Sequence, residues 1–206
     1  MPFIFKPEIS PTKIAIFSNS QAYSYGELFQ KADQLASALL ATKKDFQEAR
    51  IAFLIDPSFE YVVTQWAIWK AGAVAVPLSP AHPPQAIKYT LEDTGAEIVI
   101  CTRKFKERFE SLQDDLNFEL KVFEDIELAE IAELPEVNLE RNAMILYTSG
   151  TTSLPKGVVS THAIIKAQIE TLVNAWHWSA EDAIVSVLPL HHVHGIINIL
   201  GCAMYV

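Results

Sequence analysis

The residues best suited to chemistry lie in one run, Tyr147-Thr148-Ser149-Gly150-Thr151-Thr152-Ser153-Leu154-Pro155-Lys156-Gly157. It holds five serine and threonine hydroxyls, two glycines and one lysine, and it follows the apolar stretch Ala143-Met144-Ile145-Leu146. Hydroxyls and backbone N–H groups can donate to polyphosphate oxygens, glycines let the backbone approach, and a lysine offsets negative charge. A plain polar turn between strands needs only two or three such residues, so the density here favours a phosphate-holding loop. The common GxxxxGK[ST] loop is not matched. Counted from Gly150, Pro155 stands in place of the second glycine, and Gly157 stands where a Mg²⁺-liganding Ser or Thr belongs. Nucleotide hydrolysis of the P-loop type is therefore disfavoured.

A second cluster is Leu188-Pro189-Leu190-His191-His192-Val193-His194-Gly195. A metal site is one reading, but the spacing on an exit loop and the lack of a nearby Cys or Asp argue against it. Structural packing is another, and suits His191. His82, beside two prolines, reads as a turn residue and His162 as a cap-region residue. Trp66 and Trp69, three apart on a predicted helix, read as core. Trp176, His177 and Trp178 read as the end of a packed helix.

The elements that carry these residues alternate between strand and helix. Thr12 to Phe17 reads as a strand with a turn at Asn19-Ser20. Ser24 and Glu27 form a capping box for a helix whose Leu28, Leu35, Leu39 and Leu40 share one face. Ile51 to Ile55, Ala73 to Val76, Glu97 to Cys101 and Leu120 to Phe123 have strand length and character. Helices are expected from Ser58 to about Gly72, from Pro83-Pro84 to Thr94 (stopped by Gly95), and from Lys104 to Leu116. Leu134-Pro135-Glu136 begins a connector into the strand before the hydroxyl loop, and places a subdomain boundary near 135–142. Val158 and Val159 suggest a return strand, which makes the loop a hairpin tip. A helix then runs from Ser160-Thr161-His162 to about Ala175, a strand over Ala183 to Leu188, and a buried helix over Gly195 to Val206. This alternation predicts an α/β fold with a largely parallel sheet flanked by helices.

Composition narrows the function classes. The chain has 206 residues, half of them apolar, enough for a sizeable core. Its net charge of −9 disfavours nucleic acid, whose phosphates call for clustered Lys and Arg. The negative charge is concentrated between Glu110 and Glu140, where eleven acids face one base, Lys121. Apolar residues are interleaved there, so the stretch reads as a solvated surface rather than a tail. Cys101 and Cys202 both sit in apolar runs and read as small core residues, which fits a reducing, cytoplasmic setting without excluding an organelle. No run reaches the length of a membrane span, and the first residues lack the pattern of a signal or transit peptide.

The loop resembles the signature of the adenylate-forming superfamily: acyl-CoA synthetases, adenylation domains and luciferases. Three further segments resemble that family in its order. They are Tyr23-Ser24-Tyr25-Gly26-Glu27-Leu28, the Trp69-Lys70-Ala71-Gly72-Ala73-Val74-Ala75-Val76-Pro77-Leu78 turn, and the histidine segment. The family usually has glycine where this chain has Ser153. The LPLHHVHG string looks most like the branch of malonyl-CoA and short- to medium-chain acyl-CoA synthetases.

The resemblance implies that the 206 residues are the N-terminal part of an AMP-binding domain. The segments that supply a Mg²⁺-binding Glu, a ribose-holding Asp, a hinge and a small C-terminal domain would lie outside them. It implies ATP, Mg²⁺ and coenzyme A as reaction partners of a small-molecule carboxylic acid, a fatty acid or a malonate-like one. Thr148, Ser149, Gly150, Thr151 and Thr152, with Ser153 and Gly157, would cradle the β- and γ-phosphates, and Lys156 would offset charge on the departing pyrophosphate. It adds a third reading of the histidines: His192 near the reacting carboxylate and the CoA tunnel, with His194 and Gly195 lining the acid pocket. A polar His194 hints at a small or polar acid such as malonate. The readings open at this stage are an acid–CoA ligase, an adenylation domain that loads a carrier protein, and a non-catalytic remnant.

Overall fold

The computed structural model describes residues 9–148 and 154–206. The chain opens with a hairpin, β1 (Ile14–Ser18) against β2 (Gln21–Ser24). Asn19 and Ser20 at its tip both have positive φ, as two-residue hairpin turns of the primed type require. Ser24 then caps α1 (Tyr25–Leu40), with the reciprocal Ser24–Glu27 capping box in place. β2 itself was not anticipated: with polar Gln21 and Ser24 at its ends, only pairing with β1 makes it a strand.

The body is a six-stranded sheet. Its strands are β3 (Arg50–Leu54), β4 (Val74–Pro77), β5 (Ile98–Cys101), β6 (Glu119–Val122), β7 (Asn142–Thr148) and β8 (Lys156–Thr161). The spatial order is β6-β5-β3-β4-β7-β8; all neighbours are parallel except the β7–β8 pair. α2 (Phe59–Lys70) joins β3 to β4, and α3 (Pro84–Thr94) joins β4 to β5. α3 ends at Gly95, whose φ of +57° is the left-handed cap conformation that suits glycine.

Helices cover both faces, and the period of two along each strand sorts the side chains between them. Ile51, Phe53 and Ile55 point into one core with α1, α2 and α5 (His162–Trp176), together with Met144 and Leu146. Ala52, Leu54, Val99 and Cys101 point into a second core under α3. Phe105, Phe109 and Leu112 close that second core from the β5–β6 connection. Trp66 and Trp69 are core, and both cysteines are buried, as expected.

Three expectations need correction. The helix expected over Lys104 to Leu116 is a 3₁₀ turn (Arg103–Phe105), a short α4 (Glu107–Glu110) and turns. Its apolar period is real, but many of its amides bond three rather than four residues back, including Phe105 to Thr102 and Leu112 to Phe109. Ala183 to Leu188 is not a strand: Val185 is 81% and Val187 80% exposed. A strand exists only when a neighbour takes up its hydrogen bonds, and among the described residues none lies alongside. Trp176 is exposed rather than packed, because the chain turns away at His177, which has positive φ; only Trp178 reaches back to the core.

The 135–142 connector has no regular structure before β7, yet it is tied down. Arg141 pairs with Asp45 and donates to the Gly72 carbonyl, and the Asn142 amide donates to Glu48 at 2.8 Å. The chain ends in a π-helical segment (His194–Gly201) and α6 (Cys202–Tyr205), both largely buried. No helix among the described residues is long and apolar enough to cross a membrane.

Candidate active site at the carboxyl edge of the sheet

Parallel strands deliver the chain to one edge of a sheet, and in open α/β folds ligands bind outside that edge. The exit loops of β3, β4 and β5, the end of β7 and the start of β8 all lie there. Thr148 and Lys156, the last residue of β7 and the first of β8, are register partners, with Thr148 Oγ1 3.5 Å from the Lys156 carbonyl. Both side chains are exposed. Ser149, Gly150, Thr151, Thr152 and Ser153 lie outside the described residues.

Gly157 follows in register with Tyr147. A Cβ there would come within 3.0 Å of Ile145 Cγ2 and 3.2 Å of Tyr147 Cζ, so only glycine lets that ring lie against β8. The Tyr147 phenol donates to Asp93 Oδ2 of α3 at 2.5 Å. Burial and that carboxylate push the Tyr147 pKa well up, so the group stays a donor. Tyr89, also on α3, donates to the Pro155 carbonyl at 3.1 Å and meets the Tyr147 ring edge-on at 6.2 Å.

The histidine segment lies over the exit of β4. His82, in that exit loop, packs edge-on against His191, and the His191 and His192 rings are 4.2 Å apart. Burial first, then the imidazoles of His192 and His82, lower the His191 pKa to about 4. Burial likewise lowers that of His82, helped by His192 and Arg108. The Arg108 guanidinium donates to the carbonyls of Pro80 and His82, both at 2.8 Å, and so fixes the β4 exit loop from α4. Tyr61 of α2, almost fully buried, donates to the Leu190 carbonyl at 2.6 Å.

His192 and His194 are exposed, and His191 is half-buried. Gly195 is buried, and a Cβ on it would lie 2.4 Å from the Pro189 carbonyl oxygen, so the loop closes on itself there. Among the described residues no group of three His, Cys, Asp or Glu side chains is arranged to hold a metal ion.

The structure thus brings Thr148, Lys156 and Gly157 together at one tip, and His191, His192, His194 and Gly195 together at another. Tyr61, Tyr89, Asp93 and Arg108 support these two loops and were not singled out from the sequence. Tyr89 and Asp93 are four apart on a helix, a spacing that puts them on one face, but nothing local says what that face meets. A model of the AMP-binding enzyme family matches residues 6–205.

The chain belongs to the AMP-binding enzyme family. A mitochondrial malonate–CoA ligase of Xenopus laevis is 33% identical over 219 aligned residues, spanning all of this chain and 38% of the relative. The human mitochondrial malonate–CoA ligase is 36% identical over 205 residues, covering 94% of this chain and 36% of the relative. Among solved structures, apo MatB from Rhodopseudomonas palustris superimposes with a TM-score of 0.86 at 25% identity, over 95% of this chain and 41% of that one. The family's parallel-rich N-terminal architecture is therefore present, and the chain spans well under half the length of these relatives.

Proposed function

We propose that this chain is the N-terminal portion of an AMP-forming acid–CoA ligase that activates a small, malonate-like carboxylic acid. The observation that carries the reading is the β7–β8 hairpin, which sets Thr148 beside Lys156 at the carboxyl edge of the sheet in a chain matched by the family along its length. The similarity to malonate–CoA ligases supports the choice of acid.

In this reading a carboxylate oxygen bonds to the α-phosphorus of ATP, the bond to the bridging oxygen breaks, and pyrophosphate leaves. The coenzyme A thiol then loses its proton, its sulfur bonds to the acyl carbon, and AMP departs. The protein's part is positioning and charge stabilisation. Thr148 and the loop hydroxyls donate to phosphate oxygens, and Lys156 offsets the charge that grows on pyrophosphate. The register of β7 and β8 holds their two ends of the loop a single strand spacing apart. The space kept open by Gly157 is where a Cβ would otherwise push the hairpin off Tyr147.

His192 lies on the solvent side of the histidine loop and is assigned to the carboxylate, with His194 and Gly195 lining the acid pocket. Mg²⁺ is proposed for the complete protein, and no residue of this chain is assigned to it. The 206 residues are assigned to the N-terminal part of the AMP-binding domain, with a subdomain boundary near 135–142.

The test is acid-dependent ATP–pyrophosphate exchange by the protein of native length, with malonate and medium-chain acids, followed by thioester detection after coenzyme A is added. Exchange with malonate and a malonyl thioester are expected. Failure to exchange with any of several acids would favour a non-catalytic remnant. Acyl transfer to a carrier protein in place of coenzyme A would favour a carrier-loading adenylation domain.

A further inference from the structure

Helix α3 reaches both ends of the hydroxyl loop. At the β7 end, the Tyr147 phenol donates to Asp93 Oδ2 at 2.5 Å. At the β8 end, the Tyr89 phenol donates to the Pro155 carbonyl at 3.1 Å. The two rings meet edge-on at 6.2 Å, so the tethers form one unit rather than two chance contacts. Tyr89 and Asp93, one helical turn apart, present neighbouring side chains to the hairpin. α3 is itself immobilised: Ile87 and Leu91 are 0% and 3% exposed in the second core. The side chains of Thr148 and Lys156 face solvent and contribute little packing of their own. What holds the loop's ends at a set spacing is therefore the β7–β8 register and these two phenolic bonds.

We propose that Tyr89 and Asp93 are positioning residues for the facing ends of β7 and β8, and that by clamping Tyr147-Thr148 and Pro155-Lys156 to α3 they set the affinity for the nucleotide's phosphates. The affinity part of this inference rests on the functional reading above. Strand ends already fixed to α3 need no reordering for Thr148 and Lys156 to meet a polyphosphate, so the clamp acts mainly on binding. The Asp93 tether is the stronger of the two, because its acceptor is a carboxylate and the Tyr89 acceptor is a neutral carbonyl.

The experiment uses the protein of native length and two readouts. In acid-dependent pyrophosphate exchange, Asp93→Ala is expected to raise the KM for ATP about tenfold, with the KM for the acid unchanged. Asp93→Asn keeps an oxygen acceptor for the Tyr147 phenol and is expected to stay within about threefold of wild type, as is Tyr89→Phe. Hydrogen exchange read by mass spectrometry without nucleotide should show faster exchange at Thr148 and over 154–157 in Asp93→Ala and Tyr89→Phe, with β3 and α2 unchanged. This second readout needs no activity. If wild type shows no pyrophosphate exchange while the hydrogen-exchange result holds, the functional reading falls and the clamp stands. Wild-type values in both readouts for both variants would overturn the proposal. So would faster hydrogen exchange throughout the chain with Asn no better than Ala at position 93, which would mark a general structural role.

Discussion

The hairpin tip and the histidine loop lie at the same edge of one sheet, and they are held there by different physics. The tip is tethered by polar bonds from outside, Tyr147 to Asp93 and Tyr89 to Pro155, and leaves Thr148 and Lys156 in solvent. The histidine loop is held by packing: Gly195 against the Pro189 carbonyl, Tyr61 under Leu190, and His191 wedged between His82 and His192. A polar tether can be loosened with the fold intact, so changes at the tip should alter ligand handling. A close-packed loop has no slack, so changes there should register as stability.

Four outcomes would sharpen or break that contrast. On the proposed function, the largest is expected for Lys156→Ala in the protein of native length, which should lower acid-dependent pyrophosphate exchange by about 100-fold, the cost of one lost charge-stabilising group. Its urea midpoint should match wild type, and a lowered midpoint would mean that the tip is structural after all.

The next is acid sensitivity. His162, 1% exposed behind the hairpin, has its pKa lowered to about 4, by burial first and then by Arg141. Between pH 6.5 and about 4 the unfolded chain takes up a proton that the folded chain refuses. Stability is therefore full above pH 6.5, falls as pH drops through this window, and levels off below about 4. The loss is at most about 3 kcal/mol, from 1.36 kcal/mol per unit. Urea melts across the window should show it, and His162→Gln should flatten most of the slope. His191 has the same sign, but it is only half-buried, so solvent screening makes its share smaller. A slope that vanished in His191→Gln and persisted in His162→Gln would reverse this ranking.

Third, Gly195→Ala should destabilise by about 2 kcal/mol, as overpacking against backbone does, and should lower the melting temperature. Unchanged melting would show that the histidine loop has slack. The smallest effect is expected for Tyr61→Phe, which strands the Leu190 carbonyl at a cost of about 1 to 2 kcal/mol in urea titration. If that variant kept wild-type stability but altered pyrophosphate exchange, the contrast between the two loops would fail.

Much of this molecule is legible in short stretches of residues. The Ser24–Glu27 box, Ser58, Gly95 and the apolar runs of the sheet each carry a local signal that the fold obeys. The hairpin at Tyr147–Gly157 was legible because a hydroxyl-rich turn follows one strand and valines follow the turn. Signals failed where the deciding partner is distant in sequence. Ala183 to Leu188 has strand composition, but among the described residues no neighbour lies beside it. Tyr89 and Asp93 look like ordinary helix-surface residues until β7 and β8 are set against α3. His82 looks like a turn residue, which it is, and nothing near it announces His191.

Residue order alone was enough for the α/β class, the capping signals, the alternating burial of the strands and the two clusters able to do chemistry. These depend on spacings of two to four residues, and periodicity and capping act over that range. Packing in three dimensions had the say over what surrounds the clusters. It set Asp93 on Tyr147, Tyr61 on Leu190, His82 on His191 and Arg108 on the β4 exit loop. Each of those contacts joins segments far apart in the sequence, from 28 residues for Arg108 and Pro80 to 129 for Tyr61 and Leu190. Their partners are fixed by the order of the strands and by how the later loops pack on the sheet, and both are global properties that no local spacing encodes.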